Sequence, residues 1–109
     1  MILKPQNILF VDDDQYFLKA IQRILQHNSA DWVVYFSQSV DAALSEIDKA
    51  AFDTIVSDVA MPGKNGLDLL RWLKAQEKTK DIPVIILTGS GESLLKRHAL
   101  DLGAFDLLN

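Results

Sequence analysis

Acidic side chains stand where short apolar runs end. Asp12, Asp13 and Asp14 follow Ile8-Leu9-Phe10-Val11, and Asp58 follows Thr54-Ile55-Val56-Ser57. Thr88 closes a third run, Val84-Ile85-Ile86-Leu87, and leads into Gly89-Ser90-Gly91. Taken singly, an aspartate in such a place is turn or cap chemistry, and Asp14 fits the N-cap of the helix after it. Asp12, Asp13 and Asp58 taken together point elsewhere, provided that their two strands are neighbours. Two like charges about 4 Å apart repel by roughly 4 kcal/mol at an effective dielectric of 20, so such a cleft calls for a cation or a shared proton. The donors are hard oxygens. There is no cysteine, and neither His27 nor His98 falls at a strand end. That favours Mg²⁺ over zinc. Mg²⁺ takes few carboxylates and keeps exchangeable waters, which leaves room for a phosphoryl oxygen that the Thr88 hydroxyl could also reach.

The elements that would carry these residues alternate along the chain. Runs at 8–11, 32–36, 54–56 and 84–87 read as strands, with a short fifth at 105–108. Between them the apolar residues recur at helical spacing: Phe17, Leu18, Ile21, Ile24 and Leu25; Val40, Ala43, Leu44 and Ile47; Leu69, Leu70 and Leu73; Leu95, Ala99 and Leu102. Ser39 is the expected N-cap of the second helix, Gly66 opens the third, and Gly103 ends the fourth. Gly66 itself reads as a turn residue after Asn65. The order βαβαβαβαβ predicts an α/β, doubly wound parallel sheet with right-handed crossovers and helices on both faces. In such folds ligands bind beyond the C-terminal strand ends. That is where the acids and Thr88 lie. The fifth strand is expected to be followed by a covering helix, and the sequence ends at Asn109 before one.

Composition narrows the functional classes. The chain has 109 residues, 49% hydrophobic and 24% charged, with a formal net charge of −4. That predicts one globular domain, and a mildly acidic surface argues against direct nucleic-acid binding. The longest apolar run, Trp32-Val33-Val34-Tyr35-Phe36, is far short of the roughly 20 residues of a membrane span, and the N-terminus lacks the apolar core of a signal peptide. A cytoplasmic location without membrane contact is the expectation. The basic group Lys96-Arg97-His98 reads as a solvated helix face, His27 and His98 as residues without catalytic duty, and Trp32 and Trp72 as core or interface packing.

Three motifs together resemble the receiver domain of two-component response regulators, the family of the bacterial chemotaxis regulator. They are Ile8-Leu9-Phe10-Val11-Asp12-Asp13, Asp58-Val59-Ala60-Met61-Pro62-Gly63-Lys64-Asn65-Gly66 and Pro83-Val84-Ile85-Ile86-Leu87-Thr88-Gly89. The resemblance implies a flavodoxin-like strand order 2-1-3-4-5 and one receiver domain over 1–109 that stops before the family's final helix. It implies a phosphoacceptor switch rather than an enzyme. Asp58 would accept a phosphoryl group from a phosphohistidine of a sensor histidine kinase or phosphotransfer protein. Mg²⁺ would be held by Asp13 and Asp58, with Asp12 acting through water and the Ala60 carbonyl as a further ligand. Thr88 would swing toward the new phosphoryl group and alter the face of the fourth helix and fifth strand. An effector domain in the parent protein and a homodimer are further partners implied. Two departures stand out. The family's lysine after the fifth strand would fall one residue past Asn109, and its aromatic switch position falls on Leu107. Ala60 and Ser90 offer no acid or amide to orient an attacking water, so slow self-dephosphorylation is expected.

Two other readings compete. Asp12-Asp13-Asp14 contains the Asp-x-Asp pattern of aspartate-nucleophile phosphatases of the haloacid dehalogenase type, with Asp12 as nucleophile and Asp14 as acid/base. A receiver-like fold could also act as an interaction scaffold without phosphorylation.

Overall fold

The computed structural model describes residues 5–26, 31–89 and 93–108. The strands are β1 (Gln6–Val11), β2 (Trp32–Ser37), β3 (Thr54–Asp58), β4 (Val84–Leu87) and β5 (Asp106–Leu108). They alternate with α1 (Gln15–Gln26), α2 (Val40–Lys49), α3 (Gly66–Ala75) and α4 (Ser93–Asp101). The sheet is parallel throughout, in the order β2-β1-β3-β4-β5. That is the order the family resemblance implied. Right-handed crossovers then put α1 on one face and α2, α3 and α4 on the other, because the chain steps one way from β1 to β2 and the opposite way afterwards.

Burial follows that division. Leu9, Val11, Ile55, Val84, Ile86 and Leu107 point into the face under α2, α3 and α4, and join Ala43, Leu69, Leu70, Leu73 and Ala99 in one core. The alternate strand residues Ile8, Phe10, Val56, Ile85 and Leu87 are only half-buried; among the described residues α1 is the helix on their side. Leu18 is the most buried of the described residues of α1. Ile24, expected on the packed stripe, is 59% exposed. Trp32 and Trp72, read as core or interface packing, both lie outside the core, 43% and 37% exposed.

The helix ends explain themselves locally. Ser39 caps α2 by accepting from the Ala42 N–H at 3.1 Å, as its position in the sequence predicts. Gly66 opens α3, as the sequence predicts, and Asn65 caps it. Its side chain accepts from Leu67 and Asp68, while Asp68 accepts from the Asn65 N–H, a reciprocal capping box. After α4, Gly103 takes φ +104, and the N–H groups of Gly103 and Ala104 return to Leu100 and Ala99. This is the paired closure that a left-handed glycine permits. Strand limits differ slightly from expectation. β3 runs on through Ser57 and Asp58, and β5 starts at Asp106, leaving Phe105 exposed.

Candidate functional site

Asp12 and Asp58 are separated by a helix, a strand and a second helix, and the adjacency of β1 and β3 brings them together. Val11 pairs with Ser57, and Asp58 is the last residue of β3, in register with Leu87 of β4. Asp12, Asp13 and Asp58 each present a carboxylate oxygen within 4.8 Å of the others. Asp12 is nearly buried, Asp58 half-buried and Asp13 exposed. Each strand delivers its acid because an apolar run ends there and the next residue leaves the covered layer.

The electrostatics match the geometry. Burial pushes the Asp12 carboxyl above its ordinary value. A backbone hydrogen bond with Asp14 opposes this, and the charges of Asp58, Asp13 and Asp14 add to it. Burial also raises Asp58, against backbone hydrogen bonds with Ala60 and Val59 and with help from the charge of Asp13. The site therefore holds negative charge under strain and favours a cation. Three hard oxygen donors at this spacing suit Mg²⁺, so the residues present fit the metal that the family resemblance implied.

Asp14 is occupied elsewhere. Its carboxylate accepts from the N–H groups of Tyr16 at 2.9 Å and Phe17 at 3.2 Å, capping α1 as the sequence predicted. A carboxylate held in that way is poorly placed for the acid/base duty that the phosphatase reading needs. The Asp12 carboxylate in turn accepts from the Asp14 N–H at 2.9 Å, which fixes the turn out of β1.

Thr88 is buried just beyond β4, and its N–H donates to the Leu108 carbonyl at 2.9 Å. It stands one residue past Leu87, the register partner of Asp58, and is tied to β5. Ala60 is exposed in the β3–α3 loop, two residues past Asp58. Ser90 and Gly91 lie outside the described residues, as does His27. His98 is exposed on α4, with Nε2 3.5 Å from the Arg71 guanidinium, and takes no part in the site. Lys96 stands 3.8 Å from Asp106, in keeping with a solvated helix face. Leu107, on which the resemblance placed the family's aromatic switch position, is buried in the core.

Gly66 has a role that the sequence reading missed. It is the first residue of α3, and a Cβ there would overlap the Asp58 carbonyl oxygen. Its N–H donates to Val59 at 3.0 Å. Glycine at this point lets α3 start directly against the strand end that carries Asp58. The Asn-Gly pair gave the signal for a turn, but the requirement is close approach and not φ. The β3–α3 loop is further tied to α2 by Lys64 and Asp41 at 2.7 Å.

Known proteins share this fold. A family model described as the response regulator receiver domain matches residues 8–109. The chain is 35% identical over 102 residues to the transcriptional regulatory protein FixJ of Bradyrhizobium diazoefficiens, covering 94% of this chain and 48% of that protein. It is 37% identical over 102 residues to CpxR of Escherichia coli, covering 94% of this chain and 41% of that protein. The chain thus spans less than half the length of these curated relatives. Among solved structures, Vibrio cholerae chemotaxis protein CheY4 aligns with a TM-score of 0.86 at 28% identity, over 96% of this chain and 85% of the other. A putative response regulator of Chloroflexus aurantiacus aligns with the same score at 31% identity, over 96% and 84%.

Proposed function

The chain belongs to the response regulator receiver domain family, and we propose that 1–109 acts as a phosphoacceptor switch in which Asp58 takes a phosphoryl group from a phosphohistidine. The donor is a sensor histidine kinase or a phosphotransfer protein, and the setting is the cytoplasm. The observation that carries this reading is the convergence of Asp12, Asp13 and Asp58 at adjacent strand ends.

One Asp58 carboxylate oxygen attacks phosphorus. A P–O bond forms as the P–N bond to the imidazole breaks, and the electron pair of that bond returns to the imidazole nitrogen. The product is an aspartyl phosphate and a free histidine. No proton has to leave the nucleophile, because a carboxylate is already anionic. The remaining work is positioning and charge neutralisation. Asp13 and Asp58 would hold Mg²⁺ directly, Asp12 through water, and the Ala60 carbonyl would add a ligand; Mg²⁺ held there would supply charge neutralisation for the phosphoryl oxygens. The hydroxyl of Thr88 donates to the phosphoryl group. Because the Thr88 backbone N–H is bonded to the Leu108 carbonyl, a displacement of the Thr88 backbone toward the phosphoryl group would carry β5 and the adjoining α4 with it. The readout is then a change in population of that face, passed to an effector domain in the parent protein.

The test is intact-mass measurement after incubation with a small-molecule phosphodonor, with and without Mg²⁺, for wild type and Asp58→Asn. The expected result is a Mg²⁺-dependent gain of one phosphoryl group that the variant lacks. A gain that persists in Asp58→Asn, or no gain with Mg²⁺ present, would overturn the reading.

A further inference from the structure

The sheet has an open edge at β2, and its backbone can be followed residue by residue. Gln6, in register with Trp32, donates its N–H to the Asp31 carbonyl at 2.8 Å, and Asp12 donates to Ser37 at 3.0 Å. The even-numbered residues of β1 therefore bond β2 through its odd-numbered residues, as a parallel ladder requires. Trp32, Val34 and Phe36 then turn their N–H and C=O groups outward. Among the described residues, no hydrogen bond engages these outward groups.

The strand also lacks the devices that usually blunt an edge. No charged residue and no proline occurs anywhere from Trp32 to Val40. Trp32 and Val33 are 43% and 41% exposed. Beside the strand runs a shallow groove between α1 and β2, lined by Gln15, Leu18, Lys19, Gln22, Phe36 and Gln38.

We propose that a second copy of this chain pairs here, β2 against β2, antiparallel, about a two-fold axis at Val34. Only a register that sets outward residues against outward residues can form the ladder. Centring on Val34 sets Trp32 of each copy against Phe36 of the other, and Val34 against its own equivalent. Centring on Trp32, Val33, Tyr35 or Phe36 pairs fewer of the three outward residues within the strand. Trp32, Val34 and Phe36 share one face, the face on which α1 and the groove lie. Trp32 of one copy thus arrives at Phe36 and the groove of the other, and symmetry makes the contact twice. On the opposite face Val33 meets Tyr35. These are the aromatic and β-branched cross-strand pairs that stabilise a sheet.

A second copy is favoured over an unrelated peptide because the strand is complementary to itself. The chain carries a net charge of −4, yet no like charges meet across this seam. Two six-residue edges and two indoles bury less than the roughly 1,200 Å² of a stable complex, so the dimer is weak and concentration-dependent.

Sedimentation from about 10 to 500 µM spans the range of such an association. Hydrogen exchange at both ends of that range supplies the residue-level readout. Added protection is expected at the amides of Trp32, Val34 and Phe36 and not at Val33, Tyr35 and Ser37, which already bond β1. Val34→Pro removes an outward N–H and leaves the β1 ladder intact. It is expected to keep the circular dichroism of the wild type and weaken the dimer at least about tenfold. Trp32→Ala is expected to weaken it several-fold, and carries the test together with exchange if the proline variant does not fold. A monomer at every concentration, a dimer indifferent to both variants, or protection confined to other strands would overturn the proposal.

Discussion

Asp58→Asn should stabilise the metal-free protein at neutral pH. The carboxylate oxygens of Asp12, Asp13 and Asp58 lie within 4.8 Å of one another, and one such pair repels by roughly 3.5 kcal/mol at an effective dielectric of 20. Asp13 is exposed and Asp58 only half-buried, so solvent and counter-ions reduce the net gain to about 1–2 kcal/mol. Asparagine is isosteric and still accepts backbone hydrogen bonds through its amide oxygen. For a domain of this size the gain corresponds to a rise in Tm of about 4–10 °C. The pH dependence has a definite sign. The fold raises the Asp58 pKa through burial and the Asp13 charge, so the folded state holds the proton more tightly than the unfolded chain. The resulting penalty is present above the folded pKa and vanishes below about pH 4, where both states are protonated. The difference between wild type and variant should therefore be full at neutral pH and close in acid. Mg²⁺ should reverse the order, since a ligand at about 100 times its Kd adds about 2.7 kcal/mol to the protein that binds it. The assay is thermal unfolding by circular dichroism in EDTA and then in excess Mg²⁺. A variant no more stable than wild type in EDTA at neutral pH would refute the electrostatic reasoning.

Gly66→Ala places a methyl group on the Asp58 carbonyl. It should lower stability by about 2–4 kcal/mol and reduce phosphoryl uptake at Asp58, read by thermal melts and intact mass. Ser37 has a buried hydroxyl with no hydrogen-bond partner among the described residues. Ser37→Ala should therefore be neutral or stabilise by up to about 1 kcal/mol in a denaturant titration, and a clear loss would reveal a bond. Thr88→Ala should leave phosphorylation of Asp58 in place while abolishing the phosphodonor-induced NMR shifts in α4 and β5.

The sequence by itself determined the order of elements, the caps at Asp14 and Ser39, the left-handed turn at Gly103 and the placing of acids after apolar strands. All of these are decided within a few neighbouring residues, by hydrogen bonds and φ preferences that no distant part of the chain alters. It also determined which strand residues are apolar, and hence the core of Leu9, Val11, Ile55 and Ile86. Only the tertiary structure decided that Asp12 and Asp58 meet. That follows from the pairing of β1 with β3, a choice made between segments far apart in the chain. The same long-range pairing makes Gly66 a matter of contact with Asp58, and puts α1 on the face opposite α2, α3 and α4. It leaves Ile24, whose spacing reads as packed, 59% exposed, and keeps Trp32 and Trp72 out of the core. Periodicity marks which residues share a face of an element, and the packing of all the elements decides which faces are covered. The outward amides of β2 belong to the second kind of information, since a strand's sequence does not say whether it lies at the middle of a sheet or at its edge.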